Sequence, residues 1–418
     1  MAEPLRNTAH YGLVSADPVA VLRNPVTIRE RSHNILAAVR KGQSLWFTVN
    51  DAQLPHAARI VADTTRTRYP SLVTPYHSRW RHFEAGGIDR MRELNFRQRE
   101  AGRVERAMAQ IDLAVVSVLL DAGAGDAWRY IEAQTGQTLT RSEGLGVASL
   151  HMFMAGAFSS YPNQPLRADA HGLQAMRLRT LGEGFQASPT NPLVGLAGRV
   201  ALLQSLGKAL AARPDLFGVN GRPGALFAAL TEDGKRSVSA SEILGALLNG
   251  LSSIWPSAST LNGQPLGDCW PHPHAGGGGG SAGWVPFHKL SQWLTYSLLE
   301  PFEWADVAVT GQDALTGLPE YRNGGLLIDT GVLAPKSAEV TGKPHLPSSE
   351  LIVEWRALTV ALLDELAPLV RNLLGKTEAE MPLACILEGG TWAAGRALAA
   401  QKRGGLPPIS IISDGTVF

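Results

Sequence analysis

Apolar residues recur at spacings of three and four along much of this chain, and that periodicity limits its fold more than any other feature. Leu351, Trp355, Leu358, Leu362, Leu366, Leu369 and Leu373 form one stripe, preceded by Ser348 and Ser349 and stopped by Gly375. Leu193, Leu196, Val200, Leu203, Leu206 and Leu210 form another, behind Asn191-Pro192. Such a stripe occupies one face of an α-helix and must be covered by another element. The pattern predicts further helices at about 25–40, 54–67, 98–121, 142–157, 240–253 and 286–299. Strand-like runs are few, LWFTV at 45–49 and ISII at 409–412 being the clearest. The expected class is mostly α.

At 418 residues the chain exceeds the ~250–300 at which one core stops growing. Two helical lobes, 1–160 and 161–418, or one elaborated domain, are therefore expected. Segments 159–192 and 211–239, rich in Pro, Gly and polar residues, read as surface connections. With 38 basic against 37 acidic side chains there is no bulk field for a nucleic-acid polymer or an anionic membrane. A small anion held by two or three local cations is still compatible with that balance. Two cysteines are too few for a disulfide framework. MAEPLRNTAHYG lacks the apolar centre of a signal peptide, and no apolar stretch approaches the roughly 20 residues that span a bilayer. A cytoplasmic, reducing setting is the expectation.

Four segments concentrate chemistry-bearing residues. Residues 69–90 carry His77, Arg79, Trp80, Arg81, His82 and Glu84 before Gly86-Gly87. Arginine offers a planar fork to phosphate or carboxylate, so this is either an anion-binding loop or an exposed basic loop with local ion pairs. Residues 263–288 hold Cys269, His272, His274 and His288 among prolines and five glycines. In an extended run His272 and His274 face the same side, compatible with zinc or iron; hydrogen bonding to a substrate is the other reading.

The third segment, 285–333, places His288, Lys289 and Gln292 at a helix start and later Glu320, Tyr321 and Arg322 before Gly324-Gly325. Glu320 reads either as a carboxylate held near a ligand or as a helix-terminal acid with a salt-bridge partner. The fourth comprises LEGGTWAAGR at 387–396 and SDGTVF at 413–418. Gly-Gly-Thr at a helix start would present N–H groups to an anion, or serve packing. The C-terminal segment, with Asp414, is expected to dock in the structure near the site.

HSRWRHFEAGGIDR, GDCWPHPH, VPFHKLSQWLTYSLLEP, LTGLPEYRNGGLLIDTGVL, EGGTWAAGR and SDGTVF together resemble the uracil-catabolism protein 4 family, also known as the uracil-regulated protein family. They span nearly the whole chain. The resemblance implies work in a pathway that opens the uracil ring and leaves a ribosylurea intermediate, phosphorylated, from which the family frees urea.

FHKLSQWL, ALTGLPEYRNGGLLIDTGVL and LIVEWRALTVALLDEL also look like the queuosine-nucleotide N-glycosylase family. That likeness implies a fold related to helix-hairpin-helix DNA glycosylases. It carries functional positions onto Lys289, Gln292, Tyr321, Arg322, Glu354 and Arg356, and the family's catalytic Asp onto Glu320, which keeps the carboxylate on a longer arm.

The reaction expected is hydrolysis of an N-ribosyl bond, which needs no cofactor. Glu320 would stabilise positive charge at the anomeric carbon or activate water. His288 or His77 would supply an acid, Lys289 or Arg79 and Arg81 would hold phosphate, and Trp80 would wall the pocket. His82, Gln292, Tyr321, Arg322, Glu354, Arg356 and Asp414 complete the expected contacts to a small phosphorylated ribose-type substrate. The alternatives are a metal-dependent amidohydrolase using Cys269, His272, His274 and His288, and a non-catalytic metabolite-binding protein.

Overall fold

The computed structural model describes residues 17–255 and 259–412, and most of them lie in helices. The elements that position the site are α1 (Pro25–Arg40), α2 (Leu54–Arg68), α3 (Arg103–Leu119), α4 (Arg141–Met154) and α5 (Leu196–Ala211). They continue with α6 (Ala240–Leu251), α7 (Lys289–Trp304), α8 (Tyr321–Asp329), α9 (Glu350–Leu374) and α10 (Trp392–Arg403). Strands pair only as two-stranded ribbons among the described residues. Phe47–Val49 runs antiparallel to Leu333–Pro335, and Cys269–Pro271 antiparallel to Trp284–Pro286. The LWFTV run is thus a strand, whereas ISII contributes an isolated bridge, His345 to Ile411.

Helix α9 is apolar on nearly every side, and Leu351, Ile352, Trp355, Leu358, Leu362 and Leu366 are all buried. A helix of that composition belongs inside, and α1 and α2 pack along it. Gly375 ends it in the left-handed conformation at φ 64°, as the stop signal predicts. Helix α1 starts where Asn24 accepts from the Val26 N–H, with Pro25 at its first position. Helix α7 lies along α3 and α6, and α8 lies on α10. Buried apolar residues from Ile28 to Ile409 belong to one cluster, drawn from both sides of residue 160.

Some boundaries differ from the periodicity. Helix α5 begins at Leu196 behind Gly195 at φ 72°, so Leu193 precedes it. Helix α7 begins at Lys289, because His288 sits in the left-handed region at φ 45°, and it then continues through Pro301. The connections at 159–192 and 211–239 contain short helices, including Ala170–Gln174, Leu178–Gly184 and Ala225–Leu230. No helix of the described residues is long and apolar enough to cross a membrane.

Close approach of α10 to α8 depends on Gly395, where an added Cβ would collide with the Arg322 carbonyl oxygen and carbon. Gly395→Ala is expected to destabilise the protein by about 1–3 kcal/mol through overpacking. The denaturant midpoint measures it, and an unshifted midpoint would mean that these helices separate freely.

Candidate active site

Glu320 precedes α8 in extended backbone, and its carboxylate accepts from the Arg322 N–H (2.8 Å) and the Asn323 N–H (2.6 Å). The segment Leu318-Pro319-Glu320 is tied down as well. The Asn323 amide donates to the Leu318 carbonyl, and Asn323 is fully buried. Glu320 is therefore a helix-terminal acid, held by backbone N–H groups and, among the described residues, without a salt-bridge partner. Burial pushes its carboxyl above the ordinary carboxylate value, while the two N–H groups, Lys289 and His77 pull the other way. Yet Glu320 is only half-buried by solvent exposure. Its carboxylate is thus desolvated by its surroundings while the residue keeps some exposed surface.

Lys289, the first residue of α7, has the same character. It is half-buried, and its ammonium has no hydrogen bond or ion pair among the described residues. Burial draws its pKa below the usual lysine value, opposed by the charge of Glu320 and reinforced by that of Arg356. Beneath it lies Asp268, which receives both guanidinium nitrogens of Arg356 at 2.7 Å, the Trp270 indole at 2.7 Å and the Lys289 backbone N–H at 3.0 Å. Burial opposes the Asp268 charge, but Arg356 and the other donors outweigh it and hold the carboxyl far below its ordinary value. Phe287 packs its ring against the Arg356 guanidinium, 4.2 Å away. This buried pair fixes the start of α7 and so the root of Lys289.

His77 bears on Glu320 through its charge. Its Nδ1 donates to Glu388 Oε2 at 2.9 Å, and the other carboxylate oxygen accepts from Arg68 (2.7 Å) and the Tyr69 hydroxyl (2.9 Å). Burial works against the Glu388 charge, but His77 and Arg68 prevail and bring its carboxyl down to about 2. A charged Glu388 assigns the proton to His77 Nδ1 and leaves Nε2 as the atom that can take or give a proton. Glu388 lies in a π-helical turn, Leu387–Thr391, a local widening often found at functional sites. Gly389 and Gly390 in that turn are packing residues: a Cβ on either would press on α2, against Thr65 or the Val61 carbonyl. The anion-binding alternative for Gly-Gly-Thr is replaced by this contact.

His82 is held neutral, its pKa pushed down to about 3 by burial and by the Arg79 charge. Its ring meets Trp293 edge-on at 5.7 Å. Tyr321, 43% exposed, carries the Arg322 guanidinium 4.7 Å over its ring.

Several residues expected as substrate contacts are committed to partners within the protein. Arg79 is fully enclosed and bound to Ser117 and Asp121 at 2.6 Å each. Arg81 is paired with Glu300 and Glu84. The Trp80 indole donates to the Ser297 carbonyl within the core. Gln292 is spent on Thr316, and Glu354 faces Ser44 and His272. His288 donates through Nε2 to the Leu22 carbonyl at 2.9 Å, and burial lowers its pKa, so it is committed away from a ligand. Asp414 lies outside the described residues.

The expected metal ligands are not gathered. Among the described residues no group of three or more His, Cys, Asp or Glu side chains is arranged around one point. Cys269 packs with Val19, Leu22 and Leu266, and burial raises its thiol pKa well above the ordinary value. The His272 ring accepts from the His274 N–H at 3.2 Å and sits beside Glu354 at 3.4 Å, while His288 turns to Leu22. The C-x2-H-x-H spacing does bring the His272 and His274 rings to 5.7 Å, but Cys269 is packed among aliphatic side chains and His288 is bonded to Leu22.

Asp268 and Glu388 escaped sequence reasoning. Both stood inside the motifs GDCWPHPH and LEGGTWAAGR, where the cysteine, histidines and glycines drew the attention. Carboxylates embedded in long motifs were the available signal.

Over 415 residues the chain is 40% identical to "Protein urg3" of Schizosaccharomyces pombe, covering 97% of this chain and 100% of that one. It is 38% identical over 440 residues to "Uracil catabolism protein 4" of Lachancea kluyveri, covering 96% and 99%. The family model described as "Protein of unknown function (DUF1688)" matches residues 21–418, which include every element of this site. The chain belongs to that family, the uracil-catabolism protein 4 or uracil-regulated family.

Proposed function

We propose that the protein acts in uracil catabolism as a hydrolase, cleaving the N-ribosyl bond of a ribosylurea-type intermediate to give urea and ribose, in the 5-phosphorylated form. The printed name of one relative supplies the pathway. The observation that supports the chemistry is the Glu320 carboxylate, aimed by two N–H groups and acted on by the charges of Lys289 and of the Glu388-held His77.

Departure of urea builds positive charge on the anomeric carbon and negative charge on the leaving group. Glu320, aimed by two N–H groups, stabilises the first and takes a proton from the attacking water. His77 Nε2 delivers a proton to the departing urea, with Glu388 holding the ring in register. Water supplies the hydroxyl of the ribose product and the hydrogen that urea gains. Lys289, whose charge acts on Glu320, orients a hydroxyl or anionic group of the sugar.

Product analysis tests this reading. The purified protein given ribosylurea 5-phosphate is expected to release urea and ribose 5-phosphate in equal amounts. Release of ammonia instead would assign attack on the urea carbonyl, and no product at all would leave a binding protein. Either result overturns the proposal.

A further inference from the structure

The arginines expected to meet phosphate, Arg79 and Arg81, are neutralised by Asp121 and by Glu300 and Glu84. A different set is not. A cleft of about 430 Å³ is lined by Arg129, Arg141 and Arg396, and shares Arg141 and Gly405 with an adjoining space of about 270 Å³ that reaches Tyr321 and Arg322. Those two residues follow Glu320 directly in the chain, so this space adjoins the start of the helix that Glu320 caps.

Arg141 has no hydrogen bond or ion pair among the described residues, and its backbone is held at φ 52°, a costly conformation for a side chain of this size. It opens α4, whose preceding Thr140 gives the first turn no side-chain cap. Uncapped N–H groups and the helix dipole favour an anion there. Arg396 has a long contact, 3.4 Å, with Glu143 and is otherwise half exposed. Arg129 donates to the carbonyls of Asp126 and Trp128, which position its guanidinium without cancelling its charge.

Arg322 supplies an independent sign. It is 5% exposed, lines the inner space and gives one nitrogen to the Gly405 carbonyl, while its Nε is buried with no partner. Buried guanidinium nitrogens without an acceptor occur also at Arg79 and Arg81, but those side chains carry carboxylate partners, whereas Arg322 has none among the described residues and borders the cavity, where an acceptor can enter. The carboxylates nearby are Asp126, Glu143 and Asp121, of which Asp121 is already bound to Arg79. Four arginines thus face two uncommitted or loosely committed acids.

We propose that this cleft is a phosphomonoester subsite, in which Arg141 and Arg396 grip the phosphate, with Arg129 and the first turn of α4 completing the shell. It deepens the glycosidase reading by fixing which end of the substrate lies towards α4, and its anion chemistry stands apart from that reaction.

Calorimetric titration of the full chain with ribose 5-phosphate, inorganic phosphate and ribose tests it. Arg141→Met and Arg396→Met are each expected to weaken ribose 5-phosphate binding about 10- to 150-fold, the loss typical of one charge-assisted contact. Affinity for ribose should be unchanged, and inorganic phosphate should compete in the wild type. Both variants binding ribose 5-phosphate as tightly as the wild type would overturn the subsite, and so would equal losses for ribose. If binding depends on Arg141 and Arg396 while ribosylurea 5-phosphate yields no urea, the subsite stands and the glycosidase reading falls. Urea release that is insensitive to either substitution gives the reverse.

Discussion

Glu320→Gln is expected to lower turnover of the ribosylurea substrate by about 100-fold or more, typical of a lost acid–base group, while ribose 5-phosphate still binds. The substitution keeps size and removes charge. One amide oxygen can still accept from the Arg322 or Asn323 N–H, but the amide nitrogen cannot, so half of the helix cap is lost. That structural cost is about 0.5–2 kcal/mol, visible in the denaturant midpoint and separable from the catalytic loss. The pH profile adds a readout that a cap alone would not move. Because Glu320 titrates above the ordinary carboxylate value of about 4.3, and works ionised, wild-type activity should rise with pH across that raised pKa. This limb should disappear from the residual activity of the glutamine variant. Turnover within a few-fold of wild type would remove Glu320 from the mechanism.

The largest effect on stability is expected at the Asp268–Arg356 pair. Arg356→Met leaves a buried carboxylate with only the Trp270 indole and the Lys289 N–H, and Asp268→Asn leaves a buried guanidinium without its bidentate partner. Breaking a buried pair from one side typically costs about 3–5 kcal/mol. Asp268 has a depressed pKa in the folded chain. Its contribution is therefore complete above the unfolded value of about 3.9 and drains away as pH falls towards the folded one. Denaturation of wild type and Arg356→Met should differ most near neutrality and converge in strong acid. A difference below about 1 kcal/mol at pH 7 would show that the pair does not hold the start of α7.

Sequence alone reached the helices because their signals are local. The stripe from Leu351 to Leu366 and the stop at Gly375, or Asn24 with Pro25, are decided by neighbours three or four residues away, and the structure keeps them, although Leu373 at the stripe's end is exposed. The likeness to the glycosylase family singled out Glu320 and Lys289, and both sit at helix starts, Glu320 as the cap of α8 and Lys289 behind His288 at φ 45°.

What the sequence could not decide is how charges are spent. Arg79 and Arg141 are the same residue type in equally polar surroundings along the chain. Only packing encloses the first against Asp121 and leaves the second facing a cleft. His77 finds Glu388 across 311 positions, Asp268 finds Arg356 across 88, and Cys269 is turned among aliphatic side chains away from a metal geometry. Helical periodicity is a property of adjacent turns, whereas the partner of a buried charge is whatever the folded chain brings within about 3 Å, where a low-dielectric interior makes the pairing decisive. The sequence by itself determined a mostly helical chain carrying a carboxylate and a lysine at helix starts; the tertiary structure decided which histidine, acid and arginines stand with them.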